Sequence, residues 1–128
     1  MTIADLALIA GRTYPARRRT RNLVGGASPI QAPGFSMGHV TLEPRGGQVP
    51  WHNQEQEEVY FVASGKLQFK LDDDIVELER GAAVRVAPQT WRSVWNDEPE
   101  DAELIIVSKV VPGGSKDDAE YLESFWPA

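Results

Sequence analysis

Residues 46–65 read GGQVPWHNQEQEEVYFVASG, and the segment that follows, Lys66–Leu71, reads KLQFKL. Within them Glu58–Val62 is β-branched and aromatic, the composition of a strand. Leu67, Phe69 and Leu71 alternate with Gln68 and Lys70, which puts three apolar side chains on one face of a half-buried strand. Ala63-Ser64-Gly65-Lys66 lies between the two runs and holds the glycine of a tight turn, so the spacing predicts an antiparallel hairpin. Tyr60 and Val62 share the phase of Glu58 and are expected to face inward. Val59 and Phe61 then face outward as an apolar surface that suits a second subunit.

Strands continue on both sides of this block. Asp72-Asp73-Asp74 turns into Ile75–Leu78, Gly81 ends the next turn, and Val84 and Val86 alternate with Arg85. Arg92–Asn96 and Ala102–Val110 read as two more strands around an acidic loop, and Phe35–Leu42 supplies one ahead of the centre. Gly and Pro total 20 of 128 residues, about 16% against an ordinary value of about 12%, and they fall between the apolar runs. The expectation is one all-β domain over residues 1–128, a small sandwich or barrel, with a short C-terminal helix or tail at Ser115–Ser124.

Composition excludes several function classes. Nineteen acids against 13 Lys and Arg leave a formal charge of −6, which opposes binding to a phosphate backbone, so no nucleic-acid partner is expected. Arg12, Arg17, Arg18, Arg19 and Arg21 form the basic cluster of the sequence and read as a guarded edge strand or a dimer contact. The absence of cysteine removes disulfides, thiolate zinc sites and thiol nucleophiles, and fits a reducing cytoplasm. Leu6–Ala10 is a short apolar run behind Asp5, too short and too acidic at its start for a signal peptide or membrane span, so no membrane partner is expected. The sequence contains neither a serine nucleophile elbow nor a phosphate-cradling glycine loop.

The opening stretch also carries a spaced set of polar residues. Gly46, His52, Glu58 and Gly65 fall at the intervals of the first motif of the cupin family, G-x5-H-x-H-x3,4-E-x6-G, with Gln54 at the second histidine position. From Gly81 to Asn96 the chain resembles the second motif, G-x5-P-x-G-x2-H-x3-N, at both ends. Within it, Ala87, Gln89 and Arg92 replace the proline, glycine and histidine. The similarity has its core at residues 46–96, behind an N-terminal strand extension at 1–34. It implies a cupin-type double-stranded β-helix, or jelly-roll barrel, often dimeric, whose lumen commonly holds a divalent metal on three histidines and a glutamate.

Carried over residue by residue, the inward positions are His52, Gln54, Glu58 and Arg92, so two of three imidazoles are missing. A guanidinium is never a ligand, and its charge about 4 Å from a divalent ion costs roughly 8 kcal/mol at an effective dielectric of about 20. Arg92 is therefore expected to approach Glu58 with a bidentate fork and to occupy the metal's place. Imidazole, amide and guanidinium together suit a small polar or anionic metabolite, with His52, Gln54, Glu58, Arg92 and Tyr60 as its binding residues, no resident metal, and a homodimer as the assembly.

Two alternatives stand beside this reading. One is an enzyme of isomerase, epimerase, lyase or dioxygenase type, using a divalent metal on His52, Gln54 and Glu58 or His52 as acid or base. The metal version could draw on His39 if the Met37, His39, Thr41 face of its strand is the lumen; the more apolar Gly38, Val40, Leu42 face is the expected core. The other is a non-catalytic sensing or interaction domain with a filled lumen. Trp51, Trp91 and Trp95 flank the motif residues and either stack on a ligand or pack the barrel.

Overall fold

The structure is a computed structural model that describes residues 1–110 and the backbone pairing of Glu120–Tyr121. Its strands are β1 (Arg12–Tyr14), β2 (Arg18–Val24), β3 (Phe35–Leu42), β4 (Gln48–Asn53), β5 (Glu58–Ser64) and β6 (Lys66–Leu71). They continue with β7 (Asp74–Glu79), β8 (Ala83–Val86), β9 (Arg92–Trp95), β10 (Ala102–Lys109) and β11 (Glu120–Tyr121). They form two antiparallel sheets, ordered β1-β2-β3-β10-β5-β8 and β11-β4-β9-β6-β7, the layers of a jelly roll. No described helix is long and apolar enough to cross a membrane.

Strand alternation builds the core as expected. Tyr60 and Val62 from β5 and Val40, Leu42 and Leu104 from their neighbours meet Leu67, Phe69, Val49 and Val94 of the facing sheet. The Tyr60 and Phe69 rings, 6.1 Å apart, join the two layers. The β3 face carrying Val40 and Leu42 is therefore the lumen side.

The hairpin expected between β5 and β6 does not form. β5 pairs with β10 and β8, whereas β6 pairs with β7 and β9 in the other sheet. Gly65 alone separates the two strands, at φ +84°, and its backbone turns the chain out of one layer into the other. The β6–β7 connection is a hairpin, turned at Asp72, whose Oδ1 accepts from the Trp91 N–H. The expected helix at Ser115–Ser124 lies outside the described residues except Glu120–Tyr121, which pair with β4 as a strand.

Candidate functional site

β4 decides which of its side chains enter the lumen. Val49 lies opposite Val94 in the core, and plain alternation would next send Trp51 inward and His52 outward. Between the Val49–Val94 and His52–Arg92 pairs, however, Pro50 and Trp51 oppose Ser93 alone, a β-bulge. Proline suits this position because it has no N–H to give to the ladder. The bulge reverses the phase and sets His52 opposite Arg92. Gln54 follows just beyond the strand end and comes to His52 from the loop.

Arg92 is wholly buried, and all three of its guanidinium nitrogens have acceptors. Nη1 donates to Glu58 Oε1 at 2.7 Å, Nε to the Thr90 carbonyl at 3.0 Å and Nη2 to the Ala87 carbonyl at 3.4 Å. The expected pairing with Glu58 is thus present, but through one nitrogen instead of a bidentate fork. The loop carbonyls take the rest because Arg92 is the first residue of β9, two residues after Thr90, and so lies beside that loop.

Glu58, also buried, is held by two further donors. Tyr60 O–H donates to Oε1 at 2.9 Å, and Ser108 Oγ–H donates to Oε2. Burial and the adjacent carboxylate push the Tyr60 phenol well above its usual range, which keeps it a donor. Ser108 was not among the sequence candidates. Its signal was register: β10 pairs Ser108 with Glu58, a match between residues 50 apart that local patterning does not disclose.

His52 is buried, and burial lowers its pKa below 6.5, with the Arg92 charge acting in the same direction against the hydrogen bond to Pro50. The neutral ring donates from Nδ1 to the Pro50 carbonyl at 2.7 Å, and Nε2 lies 3.2 Å from the Gln54 amide oxygen. An amide of the same shape with its ends exchanged presents NH2 to that nitrogen, so the pair is complementary. All five predicted site residues are therefore gathered at one end of the barrel, in two linked sets: His52 with Gln54, and Arg92 with Glu58 and Tyr60.

This donor set does not fit the metal associated with the fold. Glu58 offers the one carboxylate of the set, and both its oxygens already accept from Arg92, Tyr60 and Ser108. The position of a further imidazole holds a fixed positive charge. His39 cannot compensate: it lies on the outer face of β3, where Nε2 is 3.3 Å from Glu103 Oε1. Among the described residues, no three His, Asp or Glu side chains come together as a metal-binding group.

The other candidates are accounted for by packing. The Trp51 and Trp91 rings stack at 5.8 Å, with Lys70 Nζ 4.7 Å from the Trp51 centroid. Lys70 alternates with the inward Phe69 and Leu71, so this stack covers the outside of its sheet. The basic cluster is taken up within the chain: Arg12 and Arg18 lie over the Tyr14 ring, Arg17 approaches Glu43 at 3.8 Å, and Arg19 and Arg21 donate to carbonyls of the N-terminal segment. A cleft of about 460 Å³ opens at the Gly65 corner between Lys66 and Glu98–Ala102, at the far end of β5 from Glu58. Asn96, the last residue of the second motif, is structural. Its buried amide donates to the Leu42, Glu43 and Glu100 carbonyls and accepts from the Glu98 N–H.

Comparison with known proteins agrees with this architecture. The family model described as "Cupin domain" matches residues 38–108. No curated protein matches the chain. Among solved structures, the chain is similar to the polyketide cyclase RemF from Streptomyces resistomycificus, with TM-score 0.78 and 16% identity over 98% of this chain and 88% of that one. An RmlC-like cupin from Shewanella frigidimarina gives TM-score 0.72 and 15% identity over 91% and 93% of the two chains. A sugar phosphate isomerase of the cupin superfamily from Silicibacter pomeroyi gives 0.72 and 22% over 94% and 81%. At these identities the likeness is one of fold.

Proposed function

The chain belongs to the cupin family, and we propose that it binds a small polar metabolite at the barrel end formed by His52, Gln54, Tyr60, Glu58 and Arg92, without a resident metal. The observation that carries this reading is the buried Arg92–Glu58 pair at 2.7 Å. It fills the place where a cation would sit and cancels its own charge. With His52 neutral as well, the lining is polar but close to neutral, which favours a hydroxyl-rich ligand over the anionic one also considered from the sequence. Gln54 and Ser108 are partly exposed and supply amide and hydroxyl groups at the rim. The outer face of the six-stranded sheet, with Val59 and Phe61 exposed, is the surface for a second copy of the chain. A cysteine-free chain of this kind suits the cytoplasm.

One observation favours a second reading, a metal-free enzyme in which His52 removes a proton. Its lowered pKa keeps the imidazole in the base form at neutral pH. The relatives named above include a cyclase and an isomerase, so the scaffold is compatible with catalysis.

The test combines a ligand panel with metal analysis. Neutral sugars, polyols and sugar acids are screened by thermal shift, with and without chelator. The expected result is a shift that survives chelator and disappears in His52→Ala and Gln54→Ala. Elemental analysis should find no stoichiometric metal in dialysed wild type. Arg92→His, which sets a second imidazole opposite His52, should raise nickel or zinc affinity at least about tenfold. Stoichiometric metal in the wild type, or a ligand shift abolished by chelator, overturns the proposal.

A further inference from the structure

A second polar cluster lies on the opposite side of the six-stranded sheet from the lumen. His39 on β3 is 4% exposed although it faces outward. Its Nε2 is 3.3 Å from Glu103 Oε1 on β10, and its Nδ1 is 3.5 Å from Arg21 Nη2 on β2. The same guanidinium donates from Nη1 to the Leu6 carbonyl at 3.2 Å, while its Nε has no partner among the described residues. Two residues earlier on β2, Arg19 donates to the Ala10 carbonyl. The N-terminal segment, with a single 3-10 turn at Leu6–Leu8 capped by Asp5, is thus fastened to the sheet at both ends by arginines from one strand.

We propose that Arg21, His39 and Glu103 form a pH-sensitive latch that fastens the N-terminal segment at neutral pH and releases its Leu6 end on acidification. The hydrogen-bond geometry requires the neutral ring. Nδ1 accepts from Arg21 only as a lone pair, and Nε2–H then donates to Glu103. A second proton puts an N–H on Nδ1, directed at an Arg21 N–H, so two donors and two positive charges face each other. Among the described residues the Arg21 guanidinium has hydrogen bonds to the His39 ring and the Leu6 carbonyl, through adjacent nitrogens, so displacing it from His39 is proposed to loosen its hold on Leu6.

The groups facing His39 are charged on two sides: Arg21 from β2 opposes protonation and Glu103 from β10 favours it, with Arg19 two positions further along β2, opposite Thr41. Burial, with the Arg21 charge, holds the ring below its ordinary value, so the latch is closed at neutral pH, while Glu103 pulls in the opposite direction. The Arg21–His39 pair continues across the sheet to Ile105 and Phe61, so freeing the segment extends the apolar outer face.

The test is the heteronuclear {1H}-15N NOE of the Leu6–Ile9 amides at about pH 7.5 and about pH 5. Wild type is expected to give barrel-like values at the higher pH and free-chain values at the lower, while β6 and β9 amides stay unchanged at both. In His39→Gln, whose amide can accept from Arg21 and donate to Glu103 at either pH, the segment should stay ordered throughout. In Arg21→Gln it should be free throughout. The latch is refuted if the wild-type segment stays ordered in acid, if it loosens only together with β6 and β9, if His39→Gln loosens as wild type does, or if Arg21→Gln leaves the segment ordered.

Discussion

Arg92 is the residue on which the site turns. Its charge is buried, and its stability there depends on Glu58 and two loop carbonyls. Removing one member of such a pair leaves the other buried and uncompensated, so Glu58→Gln or Arg92→Met should each cost about 3–5 kcal/mol in urea denaturation. The Glu58→Leu, Arg92→Met double variant should recover most of that loss, because two apolar side chains need no counter-charge. Costs below about 1 kcal/mol for the single variants would show the pair to be solvated. His52 gives a pH dependence of definite sign. Its folded pKa lies below 6.5, so the unfolded chain takes up the proton more readily and stability falls as pH drops through 6.5 toward the folded value. His52→Gln should flatten part of the decline in urea midpoint between about pH 7.5 and about pH 5.5, leaving the share due to His39.

At the level of elements, the strands were legible and their partners were not. The alternation of Leu67, Phe69 and Leu71 found β6, and all three side chains belong to the core or pack against it. The apparent hairpin around Gly65 failed because a glycine between two strands is as suitable for a corner between sheets as for a turn within one. At this corner a Cβ would lie 3.1 Å from the Ala102 Cβ, and the backbone has positive φ. Gly65→Ala should therefore cost about 1–2 kcal/mol in urea denaturation, combining left-handed strain with the contact. A change under about 0.3 kcal/mol would mean that the corner relaxes freely. β4 makes the same point for the site: His52 is buried opposite Arg92 because of the Pro50–Trp51 bulge, where strand alternation alone would turn it outward.

For the whole molecule, the proposed dimer rests on the outer face of the six-stranded sheet. Val59, Phe61 and Phe35 are exposed there at 38–45%, beside the half-buried Ile105 and Val107. The β5 and β10 residues adjoin one another across the sheet, which makes a contiguous apolar surface. Light scattering at micromolar concentration should give twice the mass of the chain, and Val59→Asp with Phe61→Asp should return it to one chain without loss of the folded barrel. A monomeric wild type would refute the dimer. The arginine cluster, expected from sequence to guard an edge or join a dimer, lies on and beside β1 and β2 at one edge of the six-stranded sheet, where its members also contact Tyr14, Glu43 and the N-terminal segment.

The amino-acid order by itself specified an all-β chain, the inward set of Tyr60, Val62, Leu67 and Phe69, and the substitution of Arg92 and Gln54 for imidazoles. These follow from side-chain chemistry and a period of two, which are local. Tertiary structure decided three things: that β5 and β6 belong to different sheets, that Ser108 completes the hydrogen bonding of Glu58, and that His39 serves the outer face. Each depends on which strands lie side by side and in what register, and that is fixed by closing two layers over one core, between residues far apart in the chain.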